Sequence, residues 1–267
     1  MEKDILAKSI IQIAKEASAI MLDRNFEVME KGSASNIVTT KDIAVQSFLK
    51  DNLLKLIPGS TFLGEEQEEL PKDAEYIWVV DPIDGTSNYA RDLGLSVISI
   101  GLLKNAKQHI GVVFNPYRNE MFYAVNGGGA FLNGEKINVS KRPFSNGMLC
   151  SAMCLYDQRY AKECFNVIEK IYEKSDDLRR LGSAALELCY LAAGKVDLYF
   201  EIRLCPWDYC AGTLIIKEAG GYFDIMFRDK VDLRRPAGII AANSLENFEE
   251  MKAIVYSEVK EDHFNCR

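Results

Sequence analysis

Carboxylates that could bind a cation occur at three separate places in the chain. They are Glu65 and Glu66, then Asp81 and Asp84, then Asp208. Oxygen ligands with neither histidine nor cysteine among them are the set that suits Mg²⁺. Each place alone also has an ordinary structural explanation, because acidic residues are common in solvated loops, in turns and at helix caps. The acids therefore predict a metal site only if the fold brings the three places together.

The segment from Asp81 to Asp84 is the most informative of the three. The apolar run 76–80 predicts a buried strand that ends directly at Asp81, and open α/β sheets place their ligands at the carboxyl ends of such strands. Two carboxylates this close in sequence favour a cation between them. The carbonyl of Ile83 could add a third oxygen, because Pro82 stiffens the turn. This segment is therefore predicted to hold Mg²⁺.

Gly85 and Thr86 follow the two aspartates and could contact an anion. Glycine lets the backbone approach a ligand closely, and consecutive backbone N–H groups can cradle a phosphate oxygen. The net charge of −7 makes a local source of positive charge necessary for any phosphate ligand. A metal held by the carboxylates would supply that charge.

Apolar periodicity and punctuation by glycine and proline predict the elements that position these residues. Helices are predicted at 1–22, from 39–40 to 58–59, at 161–174, at about 183–193, from 207–208 to 220–221, and from 245 onward. Strands are predicted at 76–80, 95–103, 109–114, 120–125, 196–202 and 238–242. Pairs of strands between helices indicate an α/β chain of the mixed α+β kind, with mixed sheets layered against helices.

Composition narrows the classes of function. No apolar stretch is long enough for a membrane span, and the negative charge disfavours nucleic acid as a partner. The seven cysteines are odd in number and include no C-x-x-C pair, so a reduced, cytoplasmic setting is expected. The basic pairs Lys141-Arg142 and Arg179-Arg180 are interpreted as solvated surface.

Residues 81–89, Asp-Pro-Ile-Asp-Gly-Thr-Ser-Asn-Tyr, resemble the signature of the inositol monophosphatase family. Two further family motifs match in the same order, Gly64-Glu65-Glu66 upstream and 207–212 downstream, where Cys210 replaces the more usual alanine. The resemblance implies a layered α-β-α-β-α sugar-phosphatase fold with mixed sheets in one domain of residues 1–267. It assigns most metal ligands to the half at about 1–140, and Asp208 with the substrate pocket to the half at about 141–267.

The resemblance also implies roles for single residues. The implied metal ligands are Glu65, Asp81, Asp84, Asp208 and the Ile83 carbonyl. The implied catalytic residues are Thr86 and Glu65, which orient the attacking water, and Asp42, which sets up Thr86 from the family's mobile loop at 31–42. The implied substrate contacts are Asp84, Gly85, Thr86, Gly182, Ser183, Ala184, Glu201 and Asp208. Asn36 departs from the family pattern, since many members carry an acid there, and this affects the weakest metal site.

The function that these roles imply is hydrolysis of a phosphomonoester by in-line attack of a metal-activated water, with two to three Mg²⁺ ions. The expected substrate is inositol monophosphate or a similar small polyol or sugar phosphate, and lithium inhibition and a homodimer are expected from the same resemblance. Fructose 1,6-bisphosphate, an adenosine bisphosphate and histidinol phosphate remain alternatives. An alternative of another class is a non-catalytic regulatory protein that binds a metal or an anion.

Overall fold

The protein is described by a computed structural model that covers residues 3–33, 36–67, 69–153 and 158–261. Its helices are α1 (Lys3–Leu22), α2 (Thr40–Leu56), α3 (Thr86–Ala90), α4 (Ala161–Tyr172), α5 (Ala184–Ala192), α6 (Pro206–Glu218) and α7 (Leu245–Glu258). Its strands are β1 (Val28–Ser33), β2 (Asn36–Thr39), β3 (Thr61–Gly64), β4 (Tyr76–Asp84), β5 (Val97–Lys104), β6 (Lys107–Asn115), β7 (Glu120–Val125), β8 (Gly129–Leu132), β9 (Glu135–Ile137), β10 (Met148–Ser151), β11 (Asp177–Arg179), β12 (Leu198–Leu204), β13 (Tyr222–Ile225) and β14 (Ala237–Ala242).

The first sheet has seven strands in the order β3-β4-β5-β6-β7-β8-β9. β3 and β4 are parallel, and every later pair is antiparallel. α1 and α2 cover one face of this sheet with their apolar stripes, and Ile10 and Leu49 are buried there with Trp78 of β4. Burial of this apolar surface stabilises the half of the molecule that carries the first two acidic segments.

The second sheet has five strands in the order β11-β10-β12-β14-β13. α5 and α6 are enclosed between the two sheets, since their side chains share a core with strands of both. α4 and α7 cover the outer face of the second sheet in a separate core. The layers therefore run α-β-α-β-α, and the predicted fold class is confirmed.

α6 lies unusually close to the first sheet because two glycines on adjacent strands make room for it. A Cβ atom on Gly101 would lie 2.7 Å from the Sγ atom of Cys210, and one on Gly111 would lie 2.7 Å from the Ala211 carbonyl oxygen. Cys210, which stands where alanine is more usual in the resembling family, thus fits against a strand position without a side chain. This close packing holds the first half of α6 against the sheet that contains β4.

Two sequence predictions differ from the structure in this framework. β4 does not end at Val80 but continues through Asp84. Arg142 is not simply solvated, because its Nε lies 3.0 Å from Oδ1 of the buried Asp197. Among the described residues, no helix is long and apolar enough to cross a membrane.

Candidate metal centre

Asp81 and Asp84 reach the same site because β4 is irregular between them. Asp81 pairs with Ser99 of β5 and Asp84 with Val97, so three steps on β4 match two steps on β5. Side chains alternate between the two faces of a regular strand, and residues three apart would point to opposite faces. The extra residue of the bulge reverses that alternation and places both carboxylates on one face. The sequence predicted a turn at Asp81 to Asp84. In the structure the two carboxylates are brought together by a bulge within β4 instead.

Asp208 joins them from the first turn of α6. Pro206 opens the helix, where a missing N–H costs nothing, and the Asp208 Oδ2 atom accepts a hydrogen bond of 2.7 Å from the backbone N–H of Cys205. One carboxylate oxygen from each of Asp81, Asp84 and Asp208 lies within 4.8 Å of the others. These three residues are called the aspartate cluster below.

The aspartate cluster concentrates negative charge away from water. Burial raises the pKa of Asp81 well above its usual range, and the charges of Glu65 and Asp84 add to the effect. Burial likewise raises the pKa of Asp84 to about 6 and that of Asp208 well above the ordinary value. Within the described residues none of the three forms an ion pair with a basic side chain. A divalent cation with a preference for oxygen ligands fits this donor set and would relieve the repulsion.

Asp84 is held in place from the other half of the chain. Its Oδ2 atom accepts hydrogen bonds of 2.7 Å from the Ser183 hydroxyl and of 2.7 Å from the Ala185 backbone N–H. Ser183 is the N-cap of α5, so the start of this helix gives at least one of its free N–H groups to Asp84. Gly85 is required beside it, with a φ of 88° and a Cβ position 3.0 Å from the Gly182 carbonyl oxygen.

Thr86 is brought together with Asp42 and with the Ile83 carbonyl. Its Oγ1 atom lies 3.1 Å from Asp42 Oδ1 and 3.2 Å from the Ile83 oxygen. Asp42 is fully buried in the first turn of α2, where its Oδ2 atom accepts a hydrogen bond of 2.8 Å from the Thr39 N–H. Burial raises the pKa of Asp42 to about 6. The hydroxyl thus has two acceptors next to the aspartate cluster.

Glu65 is not part of the three-carboxylate group in the described residues, although it was predicted to be a metal ligand. Its Oε1 atom lies 3.1 Å from Lys31 Nζ, and Lys31 also forms a close ion pair with Glu66. Glu65 is still near enough for its charge to raise the pKa of all three clustered aspartates, after the larger effect of burial. In this arrangement Lys31 supplies the positive charge beside Glu65.

The predicted substrate residues of the second half lie near Asp84. Gly182 has a φ of 78° in the turn before α5, and Ala184 is the first residue of that helix. Glu201 lies on β12, and its Oε2 atom accepts a hydrogen bond of 2.8 Å from the Tyr199 hydroxyl. Burial raises the pKa of Glu201 to about 7, and the charge of Asp84 contributes to this shift. The side chain of Asn36 lies outside the described part of the chain.

Sequence reasoning did not single out Asn88, Glu187 or Lys31. Asn88 donates hydrogen bonds of 3.0 Å to the Leu95 carbonyl and of 2.7 Å to the Leu181 carbonyl, so it ties the segment after Asp84 to the turn before α5. Asn88 lies within the matched motif of residues 81–89, so the sequence could have pointed to it. Glu187 also had a signal, because it is the only charged residue between Arg180 and Lys195. Lys31 had no local pattern that separated it from the other charged residues near it.

A bulged strand, a helix start and a buried acidic cluster define an α/β protein with a candidate cation site between two sheets. The sequence model of the inositol monophosphatase family matches residues 3–260. The chain therefore belongs to the inositol monophosphatase family.

Relatives and solved structures agree with that membership. The chain is 40% identical over 197 residues to Nus factor SuhB of Escherichia coli, covering 73% of each chain, and 35% identical over 219 residues to Nus factor SuhB of Xylella fastidiosa, covering 80% of this chain and 79% of that one. It is similar to the Thermotoga maritima IMPase structure with a TM-score of 0.82 and 30% identity, over 94% of this chain and 96% of that one. The Bartonella henselae extragenic suppressor protein suhB has a TM-score of 0.86 and 29% identity, over 94% and 98%.

Proposed function

We propose that this protein is a Mg²⁺-dependent phosphomonoesterase that hydrolyses inositol monophosphate or a similar small polyol or sugar phosphate. The observation that carries the proposal is the aspartate cluster, three carboxylates within 4.8 Å of one another without a basic partner among the described residues. Asp81, Asp84, Asp208 and the Ile83 carbonyl would hold the ion, and Glu65 would join them once it separates from Lys31. A bound Mg²⁺ would neutralise phosphate charge and make a water molecule more acidic.

Thr86 and Asp42 supply a way to orient that water. The Thr86 hydroxyl has one proton, which it donates to Asp42 Oδ1 or to the Ile83 carbonyl oxygen. Its lone pairs then remain free to accept a hydrogen bond from a water molecule. A protein that only binds a metal does not require a hydroxyl fixed in this way, so the pair favours hydrolysis over simple binding.

The substrate class rests on Glu201 and the turn before α5. A half-buried carboxylate near Asp84 suits a ligand with several hydroxyl groups, because hydroxyls donate to carboxylates. Gly182 and Ser183 keep the backbone near the site free of bulky side chains. Fructose 1,6-bisphosphate, an adenosine bisphosphate and histidinol phosphate are the alternatives within the same chemistry. We propose two to three ions per site, inhibition by lithium and a homodimer on the family resemblance.

A non-catalytic role is the second candidate, and one observation favours it. Several relatives at 35–40% identity carry the name Nus factor SuhB, which describes a role other than hydrolysis. The sequence prediction that nucleic acid is not a partner therefore has no support from these relatives. A binding role of this kind would require the fold but not the Thr86–Asp42 pair.

Phosphate release from a panel of phosphorylated polyols, sugars and nucleotides tests the proposal. We expect Mg²⁺-dependent release, and we expect Asp84→Asn to reduce kcat/KM by more than about 100-fold, since changes outside the ligand shell already cost about 10–100-fold. Asp224→Asn is the matched control, because Asp224 is a partly buried acid with a hydrogen bond from Tyr256 in the second sheet. Equal activity in all three proteins, or none in the wild type on the whole panel, would overturn the proposal.

A further inference from the structure

Glu187 is a buried acid for which the proposed chemistry has no direct use. It is 1% exposed, in the first turns of α5. Its Oε1 atom accepts two backbone hydrogen bonds, 2.5 Å from Leu181 and 3.1 Å from Gly182. A single side-chain oxygen thus fixes two consecutive N–H groups of the turn that precedes its own helix.

That turn is the one that positions Asp84. Ser183, the next residue after Gly182, donates its hydroxyl to Asp84, and so does the Ala185 N–H. Asn88 holds the same turn from the opposite side through the Leu181 carbonyl. Glu187 therefore holds two N–H groups of this turn, and Asn88 holds the carbonyl of its first residue.

We infer that Glu187 is a positioning residue that fixes the turn 181–183 so that Ser183 and Ala185 aim the Asp84 carboxylate into the metal site. The expected effect of Glu187 on kcat rests on the proposed function. Its expected effect on metal affinity does not depend on whether the protein hydrolyses phosphate esters. Glu187 does not touch the ion or the substrate. It acts through two backbone groups and one hydroxyl.

The chemical state of Glu187 agrees with this role. Burial raises its pKa to about 8, and the charge of Glu201 adds to the shift. A side chain that is uncharged near neutral pH keeps an oxygen acceptor for both N–H groups without adding repulsion to Asp84 and Glu201. Glutamine has the same shape and the same acceptor oxygen, whereas leucine has a similar volume and no acceptor.

Glu218 offers a matched control elsewhere in the molecule. It accepts hydrogen bonds of 2.9 Å from the Gly127 N–H and of 2.9 Å from the Gly129 N–H. It thus holds a glycine turn by the same kind of contact, in the first sheet and away from the turn 181–183. Glu218 is half-buried at the end of α6, and Glu218→Leu removes two backbone contacts, neither of which involves the turn 181–183 or Asp84.

The experiment measures Mn²⁺ affinity by electron paramagnetic resonance and phosphate release by the same purified proteins. We expect Glu187→Leu to weaken Mn²⁺ binding by about 10-fold or more and to lower kcat in proportion, as is usual for groups that orient metal ligands. Glu187→Gln should stay within about twofold of wild type in both measurements, and so should Glu218→Leu.

The role is refuted if folded Glu187→Leu binds Mn²⁺ as tightly as wild type, or if Glu218→Leu weakens binding equally. If Glu187→Leu does not fold, Glu187→Asp, which withdraws the acceptor by one methylene, must still weaken Mn²⁺ binding more than Glu187→Gln does. An unchanged affinity in Glu187→Asp then refutes it. Should the wild type release no phosphate, the proposed function fails, while the Mn²⁺ affinities still decide the role of Glu187.

Discussion

Two groups of buried acids in this protein have opposite surroundings. Asp197 and Glu120 each have a basic partner: Arg142 Nε lies 3.0 Å from Asp197, and Lys195 Nζ lies 2.6 Å from Glu120. The aspartate cluster has hydrogen-bond donors and neighbouring carboxylates, but no basic partner among the described residues. The first group is complete as folded, because its charge is balanced inside the protein. The second has no such counter-charge among the described residues, and its three carboxylates lie within 4.8 Å of one another, so we propose that a cation balances it.

The largest expected effect is a difference in sign between the two groups. In the absence of divalent cations at pH 8, Asp197→Asn should lower the free energy of unfolding by about 2–3 kcal/mol, because a charged acceptor for Arg142 and the Met148 N–H is lost. Asp84→Asn should raise it by about 1–3 kcal/mol, because a buried charge among like charges is removed. The Ser183 hydroxyl and the Ala185 N–H both donate to the same Asp84 oxygen, and asparagine retains one oxygen for them.

Urea unfolding of the two variants in a chelating buffer measures this difference. Wild type in the same buffer is the reference, and circular dichroism checks that each variant is folded. A loss of stability in Asp84→Asn as large as that in Asp197→Asn would mean that the cluster is structural, and the contrast between the two groups would be lost.

The pH dependence of stability should sharpen the same contrast. The folded-state pKa values of Asp42 and Asp84 rise to about 6, so the folded protein holds protons that the unfolded chain releases above about pH 4. Stability of the metal-free protein should therefore fall as pH rises through this window, and Glu201, with a pKa of about 7, extends the fall toward neutrality. Linkage for these three groups corresponds to a loss of roughly 5 kcal/mol between pH 5 and pH 8.

Urea unfolding at pH 5 and at pH 8, first with chelator and then with saturating Mg²⁺, measures this change in the free energy of unfolding. Mg²⁺ should remove most of the dependence, because the bound ion keeps the carboxylates ionised in the folded state. A metal-free protein that is more stable at pH 8 than at pH 5 would contradict the electrostatic account of the site.

Much of this framework was predictable, and the exceptions have physical causes. Long periodic segments such as α1 and α2 were predicted because their apolar stripes repeat at helical spacing. The hairpin β1–β2 and the strand β13 were not, because such short strands carry little periodicity. The bulge in β4 could not be predicted, since its effect depends on the partner strand β5. Side-chain pairings such as Lys31 with Glu65 join residues that only the tertiary fold brings together.

The smallest expected effect concerns that pairing. Lys31→Met should tighten Mg²⁺ binding by at most about fivefold, because a partly exposed ion pair contributes only about 0.2–1 kcal/mol. The metal-free protein should lose stability by a similar amount. Lys41→Met is a control, since Lys41 pairs with Asp23 outside the site. Calorimetric titration checks both variants, and weaker Mg²⁺ binding in Lys31→Met would show that Lys31 assists the ion instead of competing with it.

The central claim is that Asp81, Asp84 and Asp208 share a divalent cation. Calorimetric titration of the metal-free protein with Mg²⁺ at pH 6, repeated in buffers of different ionisation enthalpy, tests it most directly. Binding should be saturable and should release protons, since the raised pKa of Asp84, about 6, leaves it partly protonated before the ion enters, and Asp84→Asn should lose both the affinity and the proton release. Equal affinity in wild type and Asp84→Asn, with no proton released, would contradict the account.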